Sequence, residues 1–199
     1  MKMITIDLGS ISYPVYISEN ILGQLSEFVE EIEVPGRIYV IIDKFIYKKY
    51  SSEMEVFFHK NEINPFVVKG KKNNKTFYAA MKIFADLDEG NFARDTTIFA
   101  IGGGVIGDLA GFISSCWYRG LNLVHIPTTL LSAVDSCLGG KTAINFKSTV
   151  NAIGSYHHPT AILIDSKLLM ELPPREISSG FAEIVKYALL GAPKITECI

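Results

Sequence analysis

At 199 residues, 48% hydrophobic and 20% charged, the chain is long and apolar enough to bury a core of ordinary globular size. Nineteen basic against twenty-one acidic residues leave a formal net charge of -2, which excludes the global positive field that draws a protein to nucleic acid or an anionic membrane; a small soluble molecule is the expected partner. Cys116, Cys137 and Cys198 show no CxxC or metal-type spacing, the N-terminus has no signal-peptide pattern, and no apolar run reaches membrane-spanning length, so the expected location is the cytoplasm.

Two short alternating segments, ITIDLG and YPVYIS, predict a hairpin or edge pair, where Pro14 is tolerated. A helix follows, with Asn20 as its expected cap, a stripe of Ile21, Leu22, Leu25, Phe28, Val29 and Ile32, and Pro35 and Gly36 as its stop. RIYVII reads as a buried strand ending at Asp43. An acid at the carboxyl end of a parallel strand stands where cofactor crevices form, so Asp43 either touches a cofactor or caps the next helix. After the apolar runs EVFFH and PFVVK come Lys69, Lys71, Lys72 and Lys75, either a solvated loop or ammonium groups that meet phosphate, just ahead of a helix marked by Phe77, Ala80, Met81, Phe84 and Leu87.

The most informative stretch is IGGGVIGDLAGF, Ile101 to Phe112, between the strand TTIFAI and the helix LAGFISSCWY. Gly102, Gly104 and Gly107 fall at GxGxxG spacing, so backbone can turn sharply and lie close to a pyrophosphate, whose charge the helix N-terminus favours. The next strand, LNLVHIP, ends in Pro127, Thr128 and Thr129 where a standard dinucleotide fold has an acid for the ribose. Asp135 and Lys141 then flank a turn with a glycine pair, presenting a carboxylate and an ammonium either to a ligand or as a surface ion pair. His125 reads as a core histidine, and the adjacent His157 and His158 point apart in extended backbone, which argues against a shared metal. AILID is one more parallel-type strand. On the last helix Phe181, Ile184, Val185 and Ala188 share one face, with Glu183, Lys186, Tyr187 and Leu190 on the other.

GGGVIGDLAGF, WYRG, IPTTLLSAVDSCLGGKTAIN and LPPREISSGFAEIVKY, in this order, closely resemble 3-dehydroquinate synthases of the shikimate pathway. The resemblance is dense from about Arg94 to Leu190 and looser before it. It implies an α/β domain over residues 1–172, a variant Rossmann-like parallel sheet with helices on both faces, followed by the start of an all-α domain over 173–199. It also implies NAD, a divalent metal (zinc or cobalt), a sugar phosphate substrate and a homodimer. The implied reaction converts 3-deoxy-D-arabino-heptulosonate 7-phosphate to 3-dehydroquinate and phosphate by transient oxidation, elimination and return of the hydride.

Carried over by motif, Gly104, Val105, Ile106, Gly107 and Asp108 would hold the pyrophosphate and its neighbouring groups. Thr128 and Thr129 would take the nucleoside, Asp43 the adenosine, and Lys75 and Lys141 further parts of the cofactor. Asp135, Lys141, Asn151, Lys186 and Arg119 would face the substrate, with Arg119 directed at its phosphate, and Glu183 would be the first metal ligand. Val150 stands where the family pattern has a lysine, and Lys72 where it has an acid. Family members are considerably longer, so these 199 residues are expected to bind nucleotide but to lack the histidines that complete the metal site.

Overall fold

The computed structural model describes residues 1–191 and 193–196; Cys198 lies outside them. Among the described residues a seven-stranded sheet runs in the order β1-β2-β9-β6-β5-β3-β4. Its strands are β1 (Lys2–Asp7), β2 (Ser12–Ser18), β3 (Ile38–Asp43), β4 (Phe66–Val68), β5 (Thr97–Gly102), β6 (Asn122–Pro127) and β9 (Ala161–Asp165). Only β1 is antiparallel, paired to β2 as the expected edge hairpin; the remaining pairs are parallel. A separate antiparallel hairpin, β7 (Lys141–Phe146) and β8 (Thr149–Tyr156), lies over one face.

The inner strands β3, β5, β6 and β9 are buried on both sides, which is why they read as continuous apolar runs rather than alternating ones. One face of the sheet presents Val40, Ile42, Phe99, Ile101, Val124, Ile126 and Leu163 to α1 (Leu25–Glu31), α2 (Lys44–Tyr50), α3 (Glu55–Lys60) and α6 (Ser166–Met170). The other presents Tyr39, Ile41, Ile98, Ala100 and Leu123 to α4 (Phe77–Glu89) and α5 (Gly104–Cys116). Each such side chain, fully buried, contributes about 1.5–3 kcal/mol. α7 (Pro174–Leu189) and the short α8 (Pro193–Thr196) follow β9 and α6. No helix among the described residues is long and apolar enough to cross a membrane.

Several local expectations are corrected. Asn20 is not a helix cap: it has φ of 58°, and the amides of Asn20 and Leu22 donate to the Asp165 carboxylate, 3.0 and 3.2 Å away. An acid from the far end of the chain closes that helix start, beyond the reach of local sequence. EVFFH is α3, whose Phe57 faces the core. In α4 the buried stripe is Ala80, Ile83 and Leu87, while Phe77 and Met81 are exposed. α5 ends at Cys116, because Tyr118 and Arg119 have φ of 49° and 67° and cannot continue a right-handed helix. On α7 the inward side carries Gly180, pressed on Leu130 and Leu131, and Tyr187, whereas Phe181 is exposed.

His125 sits buried in β6 beneath Gly107. Burial, with a smaller contribution from His157, pushes its pKa down to about 4. Because the folded value lies below the unfolded one, near 6.5, the unfolded chain takes up the proton first, and stability falls as pH drops from about 6.5 toward about 4. Chemical denaturation should show the chain about 2 kcal/mol less stable at pH 5 than at pH 7 through this group. His125→Met should flatten that dependence; an unchanged pH profile in the variant would remove the assignment.

Candidate functional site

The chain leaves β3 toward β4 on one side and β5 toward β6 on the other, so the strand order reverses between β3 and β5, and a crevice opens at their carboxyl ends. Gly102 ends β5, and Gly103 precedes α5 with no side-chain cap. The first helical bonds are made by the amides of Ile106 and Gly107 to the Gly103 carbonyl. The amides of Gly104 and Val105 precede them and face the crevice mouth, as helix N-termini that hold anions do.

Gly102, Gly103 and Gly104 serve close approach rather than unusual dihedrals, since none of Gly102, Gly103, Gly104 or Gly107 has positive φ. A Cβ on Gly102 would lie 2.5 Å from Ile106 Cγ1, one on Gly104 would lie 3.0 Å from Ser136 Oγ, and one on Gly107 would meet His125 at 3.4 Å. Positive φ is needed instead at Gly139 and Gly140, 76° and 68°, in the turn that delivers Lys141 to the start of β7.

Around this mouth the structure gathers most of the residues singled out above. Thr128 is buried, and its amide closes β6 onto β5 through the Gly102 carbonyl at 3.0 Å. Thr129 accepts from the Ser132 amide at 3.2 Å and borders Gly103. The following turn is a π-helical segment, Ser132–Ser136, which holds Asp135. Asp135 meets Lys141 Nζ at 3.5 Å, the pair being part-exposed, and accepts a hydrogen bond from Tyr187 at 2.9 Å. Asp43 occupies the carboxyl end of β3, where it does cap α2, accepting from the amides of Phe45 and Ile46 at 2.7 and 3.3 Å. Its other oxygen takes the Gly70 amide at 2.8 Å.

Lys75 is the most deeply placed ammonium, 5% exposed. It donates to Asp108 and to Asn151 Oδ1, the latter at 2.5 Å. Burial pushes the Asp108 carboxyl above its ordinary range, an effect that the Lys75 ammonium opposes. A cleft of about 410 Å³ beside the hairpin is lined by Asp108, Lys141, Thr142, Asn151, Ser155 and Tyr156, among others. Lys69, Lys71 and Lys72 are exposed, as is Val150.

One expected member stands apart. Arg119 is exposed in the turn after α5, a 13-residue helix, so about 20 Å of helix separates it from Gly104, and it lies at the amino-terminal edge of the sheet. It is not brought into the crevice of its own chain, because the helix that carries Gly104 at one end carries Arg119 at the other. Glu183 and Lys186 pair with each other along α7. Tyr187 was missed as a site residue: its spacing groups it with Glu183 and Lys186 on one helix side, but only the fold shows which side faces inward.

An open α/β sheet with a glycine-bordered helix start at its switch point defines a dinucleotide-binding class of domain. The chain belongs to the 3-dehydroquinate synthase N-terminal family, whose model matches residues 65–179. It is 41% identical over 190 residues to a 3-dehydroquinate synthase of Pseudomonas aeruginosa, covering 96% of this chain and 51% of that protein. The chain thus spans about half the length of the curated relatives it matches. Among solved structures it is similar to a 2-deoxy-scyllo-inosose synthase complexed with carbaglucose-6-phosphate, NAD+ and Co2+, with 27% identity, TM-score 0.84 and coverage of 93% of this chain and 50% of that one. A probable glycerol dehydrogenase from Sinorhizobium meliloti shares the fold, with 16% identity, TM-score 0.69 and coverage of 86% of this chain and 44% of that one.

Lys75→Met should destabilise the chain by about 1.5–3 kcal/mol, because it removes the charge-assisted hydrogen bond to the part-buried Asp108 carboxylate. Adding Asp108→Asn should restore much of that loss. Urea denaturation of the two variants checks this, and a double variant no more stable than Lys75→Met alone would contradict it.

Proposed function

We propose that these residues form the nucleotide-binding part of a 3-dehydroquinate synthase, and that the assembled enzyme converts 3-deoxy-D-arabino-heptulosonate 7-phosphate to 3-dehydroquinate and phosphate. The observation that carries the reading is the meeting of the open Gly104 and Val105 amides with the Asp135–Lys141 pair, through Ser136 packed on Gly104. The family match and the NAD+ in the inosose synthase complex support the same cofactor class.

The residues present fit a dinucleotide. The Gly104 and Val105 amides suit its pyrophosphate, Gly103 and Thr129 lie close enough to border it, and Asp43 stands at the adjacent strand end, where a ribose would fall. When bound, the nicotinamide supplies the hydride acceptor and donor. Lys141 presents an ammonium to an oxyanion and Asp135 holds it in place. Asn151, anchored by Lys75, offers an amide to polar substrate groups beside the same cleft. The Lys75–Asp108 pair sits at the wall of that cleft, with Lys75 buried and Asp108 part-exposed, and α5 and the hairpin approach so closely that a Cβ on Gly111 would lie 2.4 Å from Thr142 Cγ2.

A complete metal site does not fit the described residues: no group of three His, Cys, Asp or Glu among them could hold an ion, and catalytic zinc takes three protein ligands. We assign Glu183 one carboxylate of such a site. We also read residues 173–199 as the opening of a second, helical domain, the chain as cytoplasmic and its assembly as a homodimer.

A related sugar-phosphate cyclase is the second reading, favoured by the inosose synthase likeness. Phosphate release from the heptulosonate phosphate, with NAD and a divalent ion, by the full-length polypeptide that contains this segment supports the first reading; release only from another sugar phosphate supports the second. For the 199 residues themselves, calorimetry should show saturable NAD binding. Gly104→Val should weaken it by roughly tenfold, about 1.4 kcal/mol, while binding that ignores the variant would displace the nucleotide from this turn.

A further inference from the structure

Among the described residues, the hydrogen bond from Tyr187 to Asp135 Oδ1, 2.9 Å, is the only side-chain hydrogen bond or ion pair that ties α7 to the α/β body. Its place is fixed two turns earlier. Gly180 lets α7 settle against Leu130 and Leu131, where a Cβ would come within 2.5 Å of Leu130 Cγ. That contact aims the same helix side, seven residues on, at the π-helical turn holding Asp135.

The acceptor matters. Lys141 Nζ lies 3.5 Å from the same Oδ1, so phenol and ammonium converge on one oxygen. An ion pair this exposed would otherwise contribute little and wander. The phenol is the donor in this contact and the carboxylate the acceptor. Asp135 therefore has a fixed orientation that its own exposed lysine could not impose.

Resting on the dinucleotide reading above, we infer that Tyr187 is a positioning residue: by holding Asp135 Oδ1 it sets Lys141 beside the Gly104 turn and so joins nucleotide affinity to the seating of α7. The phenol touches no ligand itself; it acts through Asp135. Loss of one hydrogen bond to a charged group, partly transmitted, corresponds to a fall in affinity of roughly three- to tenfold.

The test is a double-variant cycle read by calorimetric titration with NAD on the 199-residue chain, using Tyr187→Phe, Asp135→Ala and their combination. Tyr187→Phe should weaken NAD by roughly three- to tenfold with little change in the thermal midpoint. In the Asp135→Ala background it should change the affinity no further, since its acceptor is gone. A merely structural role would instead give additive losses, or an affinity that falls only with the midpoint, and either result overturns the inference. Unchanged affinity in Tyr187→Phe also overturns it while leaving the nucleotide site intact. A wild-type chain that binds no NAD sinks the nucleotide reading and this inference together.

Discussion

A buried ammonium holds the site together. Lys75 sits at the entry to α4, yet its side chain reaches Asp108 in the first turns of α5 and Asn151 on β8, and its carbonyl accepts the Asn145 amide of β7 at 2.8 Å. Three pieces of chain that are distant in sequence are thereby fixed against one another. A charge this deep is tolerable only because it is paired and hydrogen-bonded on several sides. The glycine turn, the cleft beside the hairpin and the placement of Lys141 all depend on that junction being made.

Around it the functional groups divide by strand end. β5 supplies open amides, β6 supplies two threonines that close the turn, and β3 supplies an acid whose oxygens bind backbone amides of Phe45, Ile46 and Gly70. Gly70 has to be glycine for this, because a Cβ there would lie 2.1 Å from Asp43 Oδ2. The crevice is polar at its rim and apolar beneath, where Ile101, Ile126 and Ile106 are fully buried.

Much of this was legible in the residues. Strands buried on both faces announce themselves as unbroken apolar runs, and GGGVIGD between a strand and a helix marks a turn where backbone can approach a ligand closely. Where the sequence fell short, a nonlocal contact decided the matter. Asn20 looked like a cap until Asp165 took that role. The spacing on α7 separates two sides without saying which faces the sheet; Gly180, which admits Leu130, is what turns Tyr187 inward. Arg119 enters through the family pattern alone, and spacing along the chain does not show that α5 carries it about 20 Å from Gly104. Lys75 was singled out by resemblance alone; a run of lysines gives no sign of which one is buried.

The central claim is that a dinucleotide's diphosphate rests on the amides at the start of α5, beside Asp135 and Lys141. Backbone amide NMR during titration with NAD addresses it most directly. The largest shifts should fall on Gly104 and Val105, with smaller ones at Thr129 and Lys141. Shifts confined to the opposite edge of the sheet, around Arg37 and Phe92, with Gly104 and Val105 unmoved, would contradict it.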